Sequence, residues 1–210
     1  VNITSRGSTI SSGLVRKLAE NIVPCIFCDQ KFQPQSILQP IYTHEDQSKR
    51  HLLQAKLSSP LRAKIWQKIV QSKIQNQSRL LKSVNKGGVE RLNRLVKEVK
   101  PGDKNNVEAQ AAQVYWPNLL GKSFRRSNLN LSENSFLNYG YAVLRSATLR
   151  AIYATGLLPG FSIHHSGAVN AFCLADDLME PYRPYIDGIA YNMFQQDICE
   201  LNTQAKSSLA

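Results

Sequence analysis

The chain has 210 residues, enough for a substantial core, and carries 26 Lys and Arg against 15 Asp and Glu, a formal net charge of +11. Its apolar runs are too short to span a membrane, which excludes a helical membrane protein and leaves a cytoplasmic location as the expectation. The charge is concentrated: fifteen basic residues and three acids lie between Lys49 and Lys104, a footprint that suits a polyanionic partner such as nucleic acid.

In chain order, GLVRKLAEN reads as a helix capped by Ser11 or Ser12. IVPCIFCD and ILQPIY read as two short strands separated by a polar turn containing Pro34. Too few strands are present to close a sheet, so residues 1–44 read as the C-terminal part of a β domain. From about Glu45 the pattern turns helical. Leu52, Leu53, Leu57, Leu61, Ile65, Ile69, Ile74 and Leu80 recur near helical spacing, with a new helix expected to start at Pro60 after Ser58 or Ser59. Gly87-Gly88 interrupts. VERLNRLVKEV forms a further helix that ends at Pro101-Gly102-Asp103, and a helix over 106–115 stops before Trp116-Pro117. A polar loop over 121–132 holds Arg125 and Arg126. A long, small-residue-rich helix then runs to Gly156, a loop over 157–167 carries His164 and His165, and an acidic helix starts near Asn170. The tail after Ile198 is polar and carries little signal. The expected class is α+β: a mostly helical domain over 45–210 behind the β remnant.

The chemistry-bearing residues sit in this helical part. Asp177 and Glu180 are three apart and share a helix face, as do Asp176 and Glu180. Two carboxylates about 5 Å apart at an effective dielectric of about 20 repel by about 3 kcal/mol, and a divalent cation reverses that sign. Asp176 also fits a plain helix-start acid favoured by the helix dipole. His165 lies close enough in sequence to turn back onto the acidic face, with His164 the neighbouring candidate. Oxygen ligands plus one imidazole suit Mg²⁺ or Mn²⁺ better than zinc. Glu108 stands among small apolar residues in NNVEAQAAQVYW and, taken alone, is equally an exposed helix carboxylate. The cysteines at 25, 28, 173 and 199 include one CxxC, but it falls in an apparent strand and no second pair follows, so buried thiols in a reducing compartment are expected. The paired Glu-x-x-His motifs of a di-iron bundle do not occur.

ISSGLVRKLAEN, NNVEAQAAQVYW, NYGYAVLRSA and HHSGAVNAFCLADDLMEPYRP together resemble CRISPR-associated protein one, the integrase of spacer acquisition, and the wording is closest to its type II branch. The four blocks stand in the family's order over nearly the whole chain. The resemblance implies a small N-terminal β domain before a helical catalytic domain. It implies that Glu108, His165 and Glu180 are the catalytic metal ligands, with Asp177 a secondary acidic position, and that the cofactor is Mg²⁺ or Mn²⁺. Against the family pattern the chain is expected to begin inside the β domain, which builds the homodimer in the family, and to stop before the final helical segment. Pro181 is expected to kink the ligand-bearing helix directly after Glu180.

The function this implies is a metal-dependent DNA endonuclease and integrase that joins short foreign DNA into a CRISPR array by 3′-hydroxyl attack on a phosphodiester. Lys49, Arg50, Lys64, Lys68 and Lys73, with Arg125 and Arg126, are expected to grip phosphates. The implied partners are double-stranded DNA, a second copy of the chain, CRISPR-associated protein two and the type II RNA-guided effector nuclease. Two alternatives remain: a catalytically silent DNA-binding scaffold, and a related transposon integrase.

Overall fold

The computed structural model describes residues 2–5, 7–128, 132–165, 170–198 and 200–209. Cys199, part of the loop before the acidic helix (166–169) and part of the polar loop (129–131) lie outside these. A three-stranded sheet opens the chain, in the order β1 (Asn2–Ile3), β2 (Cys25–Cys28), β3 (Pro34–Leu38). β1 runs parallel to β2, and β2 antiparallel to β3, with a register irregularity between Phe27 and Cys28. α1 (Ser12–Glu20) joins the first two strands, and the Ser11 hydroxyl accepts from the Leu14 N–H at 3.2 Å, the cap that the sequence offers. β3 occupies PQSIL rather than ILQPIY. Pro34 takes the strand's first position and Leu38 its last, so Ile41 and Tyr42 lie beyond the sheet, 96% and 65% exposed.

The helical part begins with α2 (Gln47–Ala55), which buries none of its residues; Leu52 and Leu53 face outward. Polar links tie it down instead. Arg50 donates to the Thr155 carbonyl at 2.5 Å and Gln54 donates to Leu158 O at 3.0 Å, both at the far end of the long central helix. α3 (Ser59–Ser83) follows, with Ser58 before it and Pro60 in its first turn, where a missing N–H costs nothing. Its buried positions Trp66, Val70, Ile74, Gln77 and Leu81 keep helical spacing, and Lys73 falls within that stripe. α4 (Val89–Glu98) starts after Gly88, whose φ of 89° favours glycine, and packs Leu92 and Leu95 into the same core.

α5 (Val107–Leu120) continues through Pro117 and stops at Gly121, where the sequence pattern ends it at Trp116. Proline forfeits one backbone hydrogen bond, but Tyr115 and Leu119 are buried on either side of it, and that packing keeps the helix going. α6 (Ser132–Ala154) is the central helix, buried over much of its length. The acidic helix, α7 (Cys173–Met179), is short; a 3₁₀ turn (Glu180–Tyr182) links it to α8 (Arg183–Phe194), with Pro181 at the bend. The tail adds α9 (Thr203–Leu209), whose Ala205 and Leu209 pack on α6 and α8.

α6 and α8 touch at Gly140, where an added Cβ would stand 2.3 Å from Ile186 Cγ2 and 3.2 Å from Leu209 Cδ2. Gly140→Ala is therefore expected to force the two helices apart and cost about 1–3 kcal/mol, a loss that thermal unfolding reads as a drop of several degrees.

Beneath this contact Asp187, 2% exposed, accepts from Tyr115 Oη at 2.7 Å and Tyr141 Oη at 2.5 Å, joining α5, α6 and α8. Burial pushes its carboxyl up to about 6 despite both hydroxyls and the nearby Arg183. A raised carboxyl binds its proton more tightly in the folded state. Lowering the pH from 7 through 6 towards 4 is thus expected to add about 2–3 kcal/mol of stability from this group. Denaturant titrations across that window should show the gain in the wild type and its absence in Asp187→Asn.

Candidate metal centre

Glu108 enters the site from the first turn of α5. Asp103 accepts from the Val107 N–H at 2.9 Å and the Glu108 N–H at 3.0 Å, satisfying two orphan donors and fixing how the helix begins. Val107 and Ala111 turn into the core beside α3, which leaves Glu108 at the core's edge, its side chain 27% exposed. Glu180 arrives from the opposite direction. The bend at Pro181 is tied to α3 by Asn76, which donates to the Pro181 carbonyl at 2.7 Å, and Glu180 is left almost fully buried.

The two carboxylates meet on one atom. Lys73 Nζ lies 2.5 Å from Glu108 Oε1 and 2.5 Å from Glu180 Oε2, while Arg183 Nε donates to the other oxygen of Glu180 at 2.7 Å. Arg183 also lies over the Tyr141 ring, 4.4 Å from its centroid. Burial opposes the charge on Lys73, but Glu180 and Glu108 outweigh it and hold its ammonium above the usual range. Burial likewise opposes the charge on Glu180, and Lys73 and Arg183 hold its carboxyl below the usual range.

The histidine loop is wrapped around Asp177, which is completely buried. Asp177 accepts backbone N–H groups from Ile163 at 2.6 Å, His164 at 3.0 Å and His165 at 3.0 Å, and its Oδ1 lies 2.7 Å from His165 Nδ1. Burial raises this carboxyl, but the His165 bond and the three amides outweigh it and hold the group below its usual range. An ionised carboxylate only accepts, so His165 Nδ1 carries the proton and Nε2 is left with its second function, a ligand lone pair or a further proton. The bond to Asp177 first, and the charges of Glu180 and Glu108 after it, raise the His165 pKa against its partial burial. His164 is turned elsewhere: its ring stacks on Trp66, centroids 4.2 Å apart and 5° from parallel. Trp66 meets His165 by its edge at 5.4 Å.

Glu108 and Glu180 are thus brought to a common point, and His165 with Asp177 forms a second, neighbouring pair. As placed, no three His, Cys, Asp or Glu side chains among the described residues stand close enough to hold an ion together, and Lys73 fills the point where the two carboxylates meet. That ammonium is a stand-in for a divalent cation, and two carboxylates near an imidazole that spends Nδ1 on Asp177 match the donor chemistry of Mg²⁺ or Mn²⁺. Asp177 is spent on the loop, so its contribution to such a site is to aim His165. The other acid of the pair, Asp176, receives Arg145 Nε at 2.7 Å and Asn170 Nδ2 at 2.9 Å.

The basic residues divide. Lys49, Lys64 and Lys68 are exposed, with Lys64 and Lys68 one turn apart on α3. Arg50 is occupied by Thr155 and by His44 Nε2 at 2.8 Å, and Arg125 by the carbonyls of Lys122 and Phe124. Arg126 holds Asn134 and Asn138 and lies over the Tyr141 ring. Lys73 is engaged with the carboxylates. Sequence reasoning passed over Arg183, Trp66, Asn76 and Asp103. Arg183 alone had a local signal, as a cation one helical step after Glu180.

The family model of CRISPR associated protein Cas1 matches residues 1–208. The chain is 38% identical over 195 residues to a CRISPR-associated endonuclease Cas1 from Neisseria meningitidis serogroup C (strain 8013), which covers 92% of this chain and 64% of that protein. It thus spans less than two thirds of that relative's length. Among solved structures, a partial Cas6-RT-Cas1–Cas2 complex superposes with a TM-score of 0.70 at 22% identity, over 93% of this chain and 65% of the other. A casposase bound to integration product does so at 0.66 and 18% identity, over 99% and 71%. At those identities the structures speak for the fold. Because that family model matches residues 1–208, nearly the whole chain, the chain belongs to the CRISPR-associated protein Cas1 family.

Proposed function

We propose that the protein is a metal-dependent DNA endonuclease and integrase of CRISPR spacer acquisition, and that Glu108, His165 and Glu180 hold its Mg²⁺ or Mn²⁺. The observation that carries this reading is the convergence of Glu108 and Glu180 from separate helices on one cation, 2.5 Å from each. When bound, the ion supplies Lewis-acid polarisation of a phosphate oxygen and lowers the pKa of an attacking hydroxyl or water. The chain's own residues do the rest. Asp177 keeps the proton on His165 Nδ1 and so leaves Nε2 as the ligand atom; Arg183 holds one oxygen of Glu180 and leaves the other for the site. A phosphodiester exchange of this kind needs no covalent protein intermediate, so the buried Tyr115 and Tyr141, both held far from ionisation by burial and Asp187, serve packing.

Lys64 and Lys68 on α3 and Lys49 on α2 are exposed and available to duplex phosphates, and each phosphate neutralised should steepen the salt dependence of binding by about 0.9 in log–log slope. The similar structures of a Cas1–Cas2 complex and of a casposase bound to integration product support Cas2 and DNA as partners; a second copy of the chain and the type II effector nuclease belong to the same reading. No helix among the described residues is long and apolar enough to cross a membrane. The test is strand cutting and joining on a labelled duplex with a free 3′-hydroxyl. Activity should appear with Mg²⁺ or Mn²⁺, vanish with chelator, and be lost in Glu108→Gln while DNA binding persists. Cutting and joining that survive chelation would reject the metal dependence, and DNA binding without any cutting or joining would reject the enzyme in favour of a scaffold.

A further inference from the structure

Lys73 is an unusual occupant of its position. It lies on the inward stripe of α3 between Val70 and Gln77, its side chain 16% exposed, where the helix otherwise buries Trp66, Ile74 and Leu81. A buried ammonium persists only where it is paired, and this one is paired twice, with Glu108 and Glu180. Glu180 has Arg183 as its second cation. Two carboxylates are thus balanced by two cations, and the carboxylates stay aligned because the ammonium lies between them. A divalent ion directed by the same two oxygens has to come to the same point, and two cations cannot share it.

We propose that Lys73 is a built-in counter-ion of the site: its ammonium holds the seat between Glu108 and Glu180 that the divalent ion takes, and the ion enters only by displacing it. The inference rests on the metal reading of Glu108 and Glu180 and adds the competitor. It has two consequences. The carboxylates are pre-aligned before the ion arrives, because their mutual repulsion is already cancelled. The ion's apparent affinity is reduced by the fraction of molecules in which the seat is open. Displacement also frees one positive charge, tethered to α3, beside the loaded site.

The test uses Mn²⁺ as probe and the full chain. Isothermal titration of the wild type, Lys73→Met and Glu108→Gln reads the affinity, and Lys73→Met is expected to bind Mn²⁺ about tenfold more tightly than the wild type or better. Removing any nearby positive charge would help the ion somewhat, so a second measurement is made on the wild type itself. Reductive methylation followed by mass spectrometry should find Lys73 protected without Mn²⁺ and modified several-fold faster with it, while exposed Lys49 and Lys68 react equally in both. Glu108-dependent Mn²⁺ binding with Lys73 still protected overturns the displacement and leaves the metal reading intact. Failure of Mn²⁺ to bind either the wild type or Lys73→Met in a Glu108-dependent way overturns the metal reading, and the counter-ion with it.

Discussion

Glu108→Gln is expected to lower cation-dependent strand cutting and joining by roughly three orders of magnitude while the protein stays folded and bound to DNA. The change is nearly isosteric and removes one unit of negative charge from the point where two carboxylates meet. At about 27% exposure, with Lys73 as its single ion-pair partner, Glu108 can lose its charge without stranding a deeply buried group. Glu180→Gln makes the instructive contrast. That side chain is 6% exposed and answers both Lys73 and Arg183, so neutralising it leaves Lys73 with Glu108 alone and Arg183 without its carboxylate, and stability should fall by about 3–5 kcal/mol along with activity. Parallel assays of chemistry, DNA binding and denaturant midpoint separate the two. Loss of chemistry alone at position 108, against loss of chemistry and stability together at 180, is the expected pattern. A Glu108→Gln protein that keeps full activity would remove this carboxylate from the mechanism.

How much of this the sequence disclosed depends on the range of the interaction. Local devices were legible: the Ser11 cap, the start of α3 at Pro60, the break at Gly88 and the bend at Pro181 each act within one turn of the residue that causes them. The places where the reading and the structure part are those where packing outweighs local preference. α5 passes through Pro117 because Tyr115 and Leu119 are both anchored in the core. The tail forms α9 because Ala205 and Leu209 find α6 and α8, a partnership that polar neighbours conceal. β3 sits closer to the chain start than ILQPIY suggests, since its pairing with Cys25–Cys28 sets the register.

At the site, residue types were easier to read than contacts. The acids and the histidine pair carry their chemistry openly, and spacing places Asp177 and Glu180 near each other. It could not show that the bend at Pro181 sends them apart, Glu180 to α3 and Asp177 into the loop. Lys73 illustrates the limit. By charge it joined the phosphate-gripping group, whereas its partners lie 35 and 107 residues away. The one local clue was its place in the stripe of buried α3 positions, where a charged residue demands a partner.

Asp177→Ala is expected to be among the most damaging single substitutions in the chain. It removes the acceptor of three backbone N–H groups and of His165 Nδ1 at once, and the carboxylate lost is itself fully buried. Each stranded donor costs about 1–3 kcal/mol, so a loss of about 4 kcal/mol, or a melting temperature lower by roughly 10 °C, is a conservative expectation. The pH dependence gives the effect a signature. Asp177 titrates below its usual range in the folded state, so its contribution is present above about pH 4 and is lost as the pH falls through the lower folded value. His165 titrates above its usual range, so the contribution of its charged form is full below about pH 6.5 and fades as the pH rises through the folded value. The pair is therefore strongest between about pH 4 and about pH 6.5, and the difference in stability between wild type and Asp177→Ala should be widest there and narrow on both flanks. Asp177→Asn supplies the complementary probe. Its amide keeps one acceptor but turns a donor towards the loop's N–H groups, so the loop loses its grip and Nε2 its aim, and Mn²⁺ affinity should fall by about 10–100-fold. Equal Mn²⁺ affinity in Asp177→Asn and the wild type would mean that His165 is aimed by something other than this carboxylate, or that its ring lies outside the coordination of the ion.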